Sequence, residues 1–206
     1  MLGTEAPTLF FDIGGVILTN GWDTAARKKA AETFGLEYPE FQTRHEMLKT
    51  SFETGRLDLN GYLKKTIFYQ PRSFSPEDVK HVMLNSSQLL GETLAFVRAL
   101  AKTGKYRLFT LNNESRELHE HRVKIFKLRE IFQGFLTSCY LGQVKPDEGI
   151  YINALGIAGC PNHGCALFID DRSLNVEPAL ALGLNAIQFT NLDNLRASLK
   201  AEGVEA

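Results

Sequence analysis

Three cysteines in 206 residues are too few, and odd in number, to build a disulfide framework, so a reducing cytoplasm is the default expectation. No apolar run approaches the length of a membrane-crossing helix. The opening residues, MLGTEAPTLFF, lack a basic n-region, and no signal peptide is expected. Neither sign of charge is in surplus. Lys and Arg number 23 against 24 Asp and Glu, a formal net charge of -1, so nothing global draws the chain to nucleic acid or an anionic membrane. Internal repeats and low-complexity tracts are also missing. What remains is an ordinary globular composition, 44% hydrophobic and 23% charged, at a length suited to one domain or one domain with a large insertion.

Five short segments, TLFFDI, YRLFTL, FLTSCY, CALFID and NAIQFT, are rich in apolar, β-branched or aromatic residues and bounded by turn residues. Helix-length patterns separate the later ones, such as 115–128 with Leu118, Val123, Ile125 and Phe126. Strands alternating with helices predict a parallel sheet covered on both faces, an α/β, Rossmann-like core. The alternation has one long gap, between Val16 and Tyr106. There Trp22, Ala26, Ala30 and Phe34 recur at i+4 ahead of Gly35, Pro39 suits a first helical turn, and SPED at 75–78 reads as a Ser cap with Pro at the first helical position. About four helices are therefore expected as an insertion, a helical cap over 19–87, between core segments 1–18 and 88–206. A core helix should follow near 89–102.

Ligands of such sheets bind beyond the carboxyl ends of the strands. Asp12, Asn112-Asn113 and Asp170-Asp171 each fall at the end of a predicted strand, and Lys145 follows FLTSCY. Two carboxylate groupings and a lysine make an oxygen-rich, partly neutralised pocket suited to Mg²⁺ and a phosphate. In VKPDE, 144–148, Pro146 fits the first position of a helix, which would place Lys145 beside free backbone N–H groups.

In this order FFDIGGV, LFTLNNES, LGQVKPDEGIY and FIDDRSLNVEPALALG resemble the four motifs of the haloacid dehalogenase (HAD) superfamily, and the insertion resembles the C1 cap of its smaller phosphatases and dehalogenases. The resemblance implies that Asp12 is the nucleophile, forming an aspartyl-phosphate. It implies that Asp12, the Gly14 carbonyl and Asp171 hold Mg²⁺, with Asp170 holding metal-bound water. Lys145 then pairs with Asp12 and the phosphoryl oxygens, Asn112 takes the place of the usual Ser/Thr with Asn113 following, Asn175 steadies the fourth motif, and Gly15 permits the turn toward the cap.

One departure is serious. Most phosphatases of the superfamily carry a second Asp where Gly14 stands, as acid for the leaving group and base for water, and such assistance is typically worth about 10²–10⁴ in rate. Without it, acyl, aryl and anomeric sugar phosphates lose least. Asp23, His45 and Glu114 are the candidate stand-ins. Trp22 and Asp23, where core passes into cap, are candidate site-edge residues. The leading expectation is thus a Mg²⁺-dependent phosphatase of a small phosphorylated metabolite, a monomer or homodimer. The alternatives are a metal-independent haloacid-type dehalogenase and a catalytically weak phosphoryl-binding or regulatory protein. His119 and His121 read as surface or partly packed residues, Cys160, His163 and Cys165 as a plain loop lacking a fourth zinc ligand, and Cys139 as unactivated.

Overall fold

Each of the five apolar segments forms a strand in the computed structural model, which describes residues 7–160 and 163–205. They are β1 (Thr8–Phe11), β2 (Arg107–Asn112), β3 (Gly134–Thr137), β4 (Ala166–Asp170) and β5 (Asn185–Gln188), all parallel, in the order β3-β2-β1-β4-β5. The helices of the described residues are α1 (Thr24–Phe34), α2 (Tyr38–Glu53), α3 (Leu59–Thr66), α4 (Pro76–Leu84), α5 (Thr93–Lys102), α6 (Arg116–Ile125), α7 (Ser138–Leu141), α8 (Glu148–Ile157), α9 (Ser173–Ala181) and α10 (Leu192–Ala201). None is long and apolar enough to cross a membrane.

Alternation along β1 explains why its four residues are all buried. Leu9 and Phe11 join Val97 and Leu100 of α5 and Leu195 and Leu199 of α10 on one face. Phe10 points the other way, to Ile150 and Tyr151 of α8 and Ala179 of α9. Helices on both faces of a parallel sheet make the core α/β and Rossmann-like, as its pattern predicts.

Helices α1–α4 lie between β1 and α5 and share a core of their own, including Ala30, Phe41, Phe52, Tyr62 and Met83. Local signals set their ends. Asp23 accepts from the Ala26 N–H at 2.8 Å at the start of α1, and Gly35 ends that helix at φ 60°. Ser75 and Asp78 form a reciprocal capping box before α4. The two crossings between sheet and helices run side by side. Thr19 N donates to Gln88 O at 2.8 Å, Gln88 N to Thr19 Oγ1 at 2.9 Å, and Leu90 N to Ile17 O at 3.1 Å.

Several boundaries differ from the sequence pattern. FLTSCY is a strand only to Thr137, after which residues 138–141 coil into α7 so that Ser138 Oγ can donate to Glu53 O at 2.6 Å and accept from Glu114 N at 2.9 Å. The core helix begins at Thr93, because Leu89 and Leu90 are drawn into bridging contact with Leu18 and Ile17. The 115–128 pattern stops at Ile125, where Lys127 turns left-handed at φ 52°. Pro146 is not a first helical residue: α8 starts at Glu148 with Asp147 as its cap, so Lys145 sits in the loop ahead of that helix.

Candidate active site

Strand β1 is central, and the chain leaves it toward β2 on one side and β4 on the other, the position at which parallel sheets form a crevice. Asp12 stands one residue beyond β1, Asn112 ends β2 and Asp170 ends β4. Lys145 reaches all three strands. Its Nζ donates to Leu111 O at 2.8 Å and to Asp170 Oδ2 at 2.5 Å, and lies 3.3 Å from Asp12 Oδ2. Burial alone would disfavour its charge, but the Asp12 and Asp170 carboxylates outweigh that and raise its pKa. Burial pushes Asp12 up to about 7, with Lys145 pulling down and Asp170 and Asp171 pushing up. The other Asp12 oxygen accepts from Ile13 N at 2.7 Å.

Asp12, Asp170 and Asp171 can each present an oxygen within 4.8 Å of the others. Their surroundings differ. Asp170 is saturated: besides Lys145, it accepts from Arg172 N at 2.9 Å and from Asn175 Nδ2 at 3.0 and 3.1 Å on its two oxygens. Asp171 has a buried Oδ1 with no hydrogen-bond partner, and burial followed by the Asp170 charge raises its pKa. A buried carboxylate oxygen without a donor is costly unless a cation completes it. A hard divalent ion such as Mg²⁺ fits this oxygen-only set. Gly15 makes room for the Asp171 carboxylate: φ is +78°, and a Cβ there would fall 2.2 Å from Asp171 Oδ2.

Asn113, which follows Asn112 at the second motif, holds the Lys145 backbone, its Nδ2 donating to Lys145 O and its Oδ1 accepting from Lys145 N, both at 2.8 Å. It aims the lysine. Asn112 is buried, accepts from Thr137 Oγ1 at 3.2 Å and leans Nδ2 toward Glu114 Oε2 at 3.4 Å. Asn175 steadies Asp170, where the resemblance placed it. Gly14 lines the cavity next to Asp12, and the space its side chain would enter is taken: a Cβ there would lie 2.8 Å from Asn20 Oδ1.

One cavity of about 530 Å³ extends from Asp12, Asn112 and Lys145 to the inserted helices, where Trp22, Asp23 and His45 line it. The candidate stand-ins for the missing base have different surroundings. Asp23 caps α1. His45 is buried beside Arg27 and Lys49, first burial and then those charges lowering its pKa to about 3, so its ring is neutral at neutral pH and only a weak base. Glu114 is pushed by burial up to about 7, against the pull of Arg122, whose NH1 lies 2.6 Å from its Oε1.

Arg122 and its ties are not visible in the sequence pattern. It is buried, and besides Glu114 it donates to Ser87 Oγ and Thr19 O, both at 2.8 Å, one on each crossing to the inserted helices. His119 is also buried, not a surface residue, with Nδ1 3.2 Å from Thr137 Oγ1 and 3.8 Å from Glu114 Oε2. His121 is half-buried. Cys139 is buried and pushed up to about 12, mainly by burial, an unreactive thiol. Cys160 is buried with its thiol 3.2 Å from Thr8 Oγ1, whereas residues 161–162 and the His163 side chain lie outside the described residues.

A sequence model described as haloacid dehalogenase-like hydrolase matches residues 6–183. A flavin mononucleotide hydrolase of Arabidopsis thaliana is 26% identical over 201 residues, covering 97% of this chain and 79% of that protein. Among solved structures, a predicted HAD-like family hydrolase of Porphyromonas gingivalis superposes with a TM-score of 0.77 at 21% identity, covering 98% of this chain and 100% of its own. A HAD family enzyme of Bacteroides thetaiotaomicron, solved with magnesium and inorganic phosphate, gives 0.73 at 19% identity over 89% and 94% of the two chains.

Proposed function

Because the chain belongs to the haloacid dehalogenase-like hydrolases, we propose that it is a Mg²⁺-dependent phosphatase of a small phosphorylated metabolite, acting through an aspartyl-phosphate on Asp12. The observation that carries this reading is the Lys145 ammonium lodged between Asp12 and Asp170 while Asp171 keeps a buried, partnerless oxygen. That arrangement suits a cation and a dianion bound together. A dehalogenase needs no such cation and leaves the Asp171 oxygen unexplained.

Asp12 supplies the attacking carboxylate: an O–P bond forms, the ester P–O bond breaks, and water later cleaves the acyl phosphate. Lys145 orients that carboxylate and offsets charge on the phosphoryl oxygens, and Asn113 and Asp170 hold Lys145 in place. Mg²⁺, held by Asp12, Asp171 and the Gly14 carbonyl with Asp170 behind them, would neutralise the carboxylates and phosphate. Nothing at residue 14 handles a proton, and Glu114 is the cavity-lining carboxyl whose pKa suits that task.

The test is phosphate release from a panel of phosphate esters with and without Mg²⁺, alongside Asp12→Asn. Flavin mononucleotide heads the panel because a relative is named for it. It is an alkyl ester, so its turnover would require a proton source, whereas acetyl and aryl phosphates would not. Turnover that survives Asp12→Asn would overturn the mechanism, and binding of a phosphate mimic without turnover on any ester would favour a regulatory protein.

A further inference from the structure

The roof of the cavity contains a hydrogen-bond relay that the phosphate chemistry does not use. Trp22 Nε1 lies 2.9 Å from Tyr62 Oη, and Tyr62 Oη lies 2.8 Å from His45 Nδ1. Tyr62 is fully buried, with Phe52 stacked on its ring at 4.2 Å and 10°. The three groups sit on different elements, Trp22 just ahead of α1, His45 on α2 and Tyr62 on α3, so the relay forms only when the inserted helices pack.

Proton bookkeeping assigns each role. The indole N–H can only donate. The phenol oxygen therefore accepts from Trp22, and its own proton must find an acceptor, because a buried unpaired O–H is costly. The sole remaining partner among the described residues is His45 Nδ1, which must then be unprotonated. A neutral imidazole with a bare Nδ1 carries its hydrogen on Nε2. His45 lines the cavity, and among the described residues Nε2 has no hydrogen-bond partner.

Building on the phosphatase reading, we infer that His45 is a specificity-determining donor: Trp22 and Tyr62 lock it as the Nε2–H tautomer, which selects substrates whose leaving group is planar and presents a hydrogen-bond acceptor at the cavity roof. Planarity follows from the aromatic lining, with Trp22 and Phe52 on the same cavity as His45. The acceptor follows from the lone N–H. A buried donor left unmet by the wrong leaving group discriminates far more strongly than shape alone. Burial, Arg27 and Lys49 keep the ring neutral, so it stays a donor of fixed direction and does not become a second cation competing for the phosphate.

Two readouts test this. In ¹⁵N-edited NMR of the wild type, His45 should show a protonated Nε2 and a bare Nδ1, and Tyr62→Phe should collapse it to a tautomer mixture; a protonated Nδ1 in the wild type overturns the relay. In kinetics, His45→Leu should lower kcat/KM at least tenfold more on some acceptor-bearing planar ester (flavin mononucleotide, pyridoxal 5′-phosphate or 4-nitrophenyl phosphate) than on phenyl phosphate. The loss should fall mainly on KM, and His45→Gln, which retains a donor, should restore part of it. An equal loss on all esters means that His45 is merely structural and overturns the inference. Asp12→Asn is run in parallel: turnover surviving that change strikes the phosphatase reading, while the NMR result judges the relay independently.

Discussion

Gly14→Asp restores the acid that most phosphatases of this superfamily carry, and the structure allows its effect to be worked out. Gly14 is not among the left-handed glycines, unlike Gly15, so an L-residue meets no backbone strain there. A Cβ would fall 2.8 Å from Asn20 Oδ1 but 3.7 Å from the Asn20 Cα. The collision is thus with the end of a flexible, half-buried side chain, and displacing it costs on the order of 0.5–1.5 kcal/mol, the range for forcing one side chain off its rotamer. General acid–base assistance is worth about 10²–10⁴, or roughly 3–5 kcal/mol of barrier. The gain exceeds the cost, so turnover of an alkyl phosphate should rise by tenfold or more, and further in Gly14→Asp/Asn20→Ala, where the obstruction is removed.

The leaving group provides the internal control. Alkoxides need a proton and nitrophenolate barely does, so the gain should be large on flavin mononucleotide or glycerol phosphate and small on 4-nitrophenyl phosphate. Saturating Mg²⁺ is required, because a fourth carboxylate beside Asp12, Asp170 and Asp171 would otherwise face only Lys145. Asn20→Ala alone is the reference for the double variant. Alkyl-phosphate rates that stay flat or fall in both variants, with melting temperature and Mg²⁺ affinity unchanged, would refute the reasoning: the proton would then be handled elsewhere and residue 14 would be irrelevant to it.

Three further outcomes follow from the geometry. Arg122→Met should destabilise the fold by about 3–5 kcal/mol in urea titration, since it leaves Glu114 buried without its ion partner and unties Thr19 and Ser87; Glu114→Gln/Arg122→Met should recover part of that loss. Gly15→Ala should weaken Mg²⁺ binding at least tenfold by calorimetry, because its Cβ would overlap Asp171 Oδ2 at 2.2 Å in a left-handed turn. His45, at about 3 in the fold and near 6.5 unfolded, makes the unfolded chain bind the extra proton below pH 6.5. Stability from this group is thus complete above that pH and declines as pH falls toward 3. Between pH 6 and 4 the stability difference between wild type and His45→Gln should therefore shrink by up to about 1.4 kcal/mol per pH unit. A parallel pair of stability curves would contradict it.

The strand-end groups were readable in advance because each is local to its segment. Asp12 follows an apolar run, Asp170-Asp171 another, and a strand that ends fixes where its last side chain emerges. The relations between segments were not readable. Asn20 against Gly14, Tyr62 between Trp22 and His45, and Arg122 across Thr19, Ser87 and Glu114 each join residues brought together by the packing of the inserted helices. No periodicity records such pairs. Asn113 shows the same limit at close range: its place after Asn112 is legible, but the two hydrogen bonds that tie its amide to the Lys145 backbone are not. Pro146 misled for a local reason, since a proline before two acids looks like a helix start whether the helix begins at once or two residues later.

These relations alter what the glycine at position 14 means. A site that merely lost its acid would be expected to keep an open space there, yet Asn20 fills it. The phosphoryl end of the proposed mechanism has a lysine held at three points and a carboxylate with a buried, partnerless oxygen, so the charges that this mechanism draws on are present. With proton transfer removed from residue 14, the burden moves to the leaving group and to whatever the cavity roof does to it. An N–H that hydrogen-bonds an acceptor on the leaving group contributes through binding, and that suffices for aryl esters, whose departing oxygen has little need of a proton. For such a substrate, selection at His45 and tolerance of Gly14 are one device. Among aryl phosphates, that device predicts that the rate gained from Gly14→Asp stays small on the esters that His45→Leu impairs most, and a positive correlation across that aryl set would break the link between them.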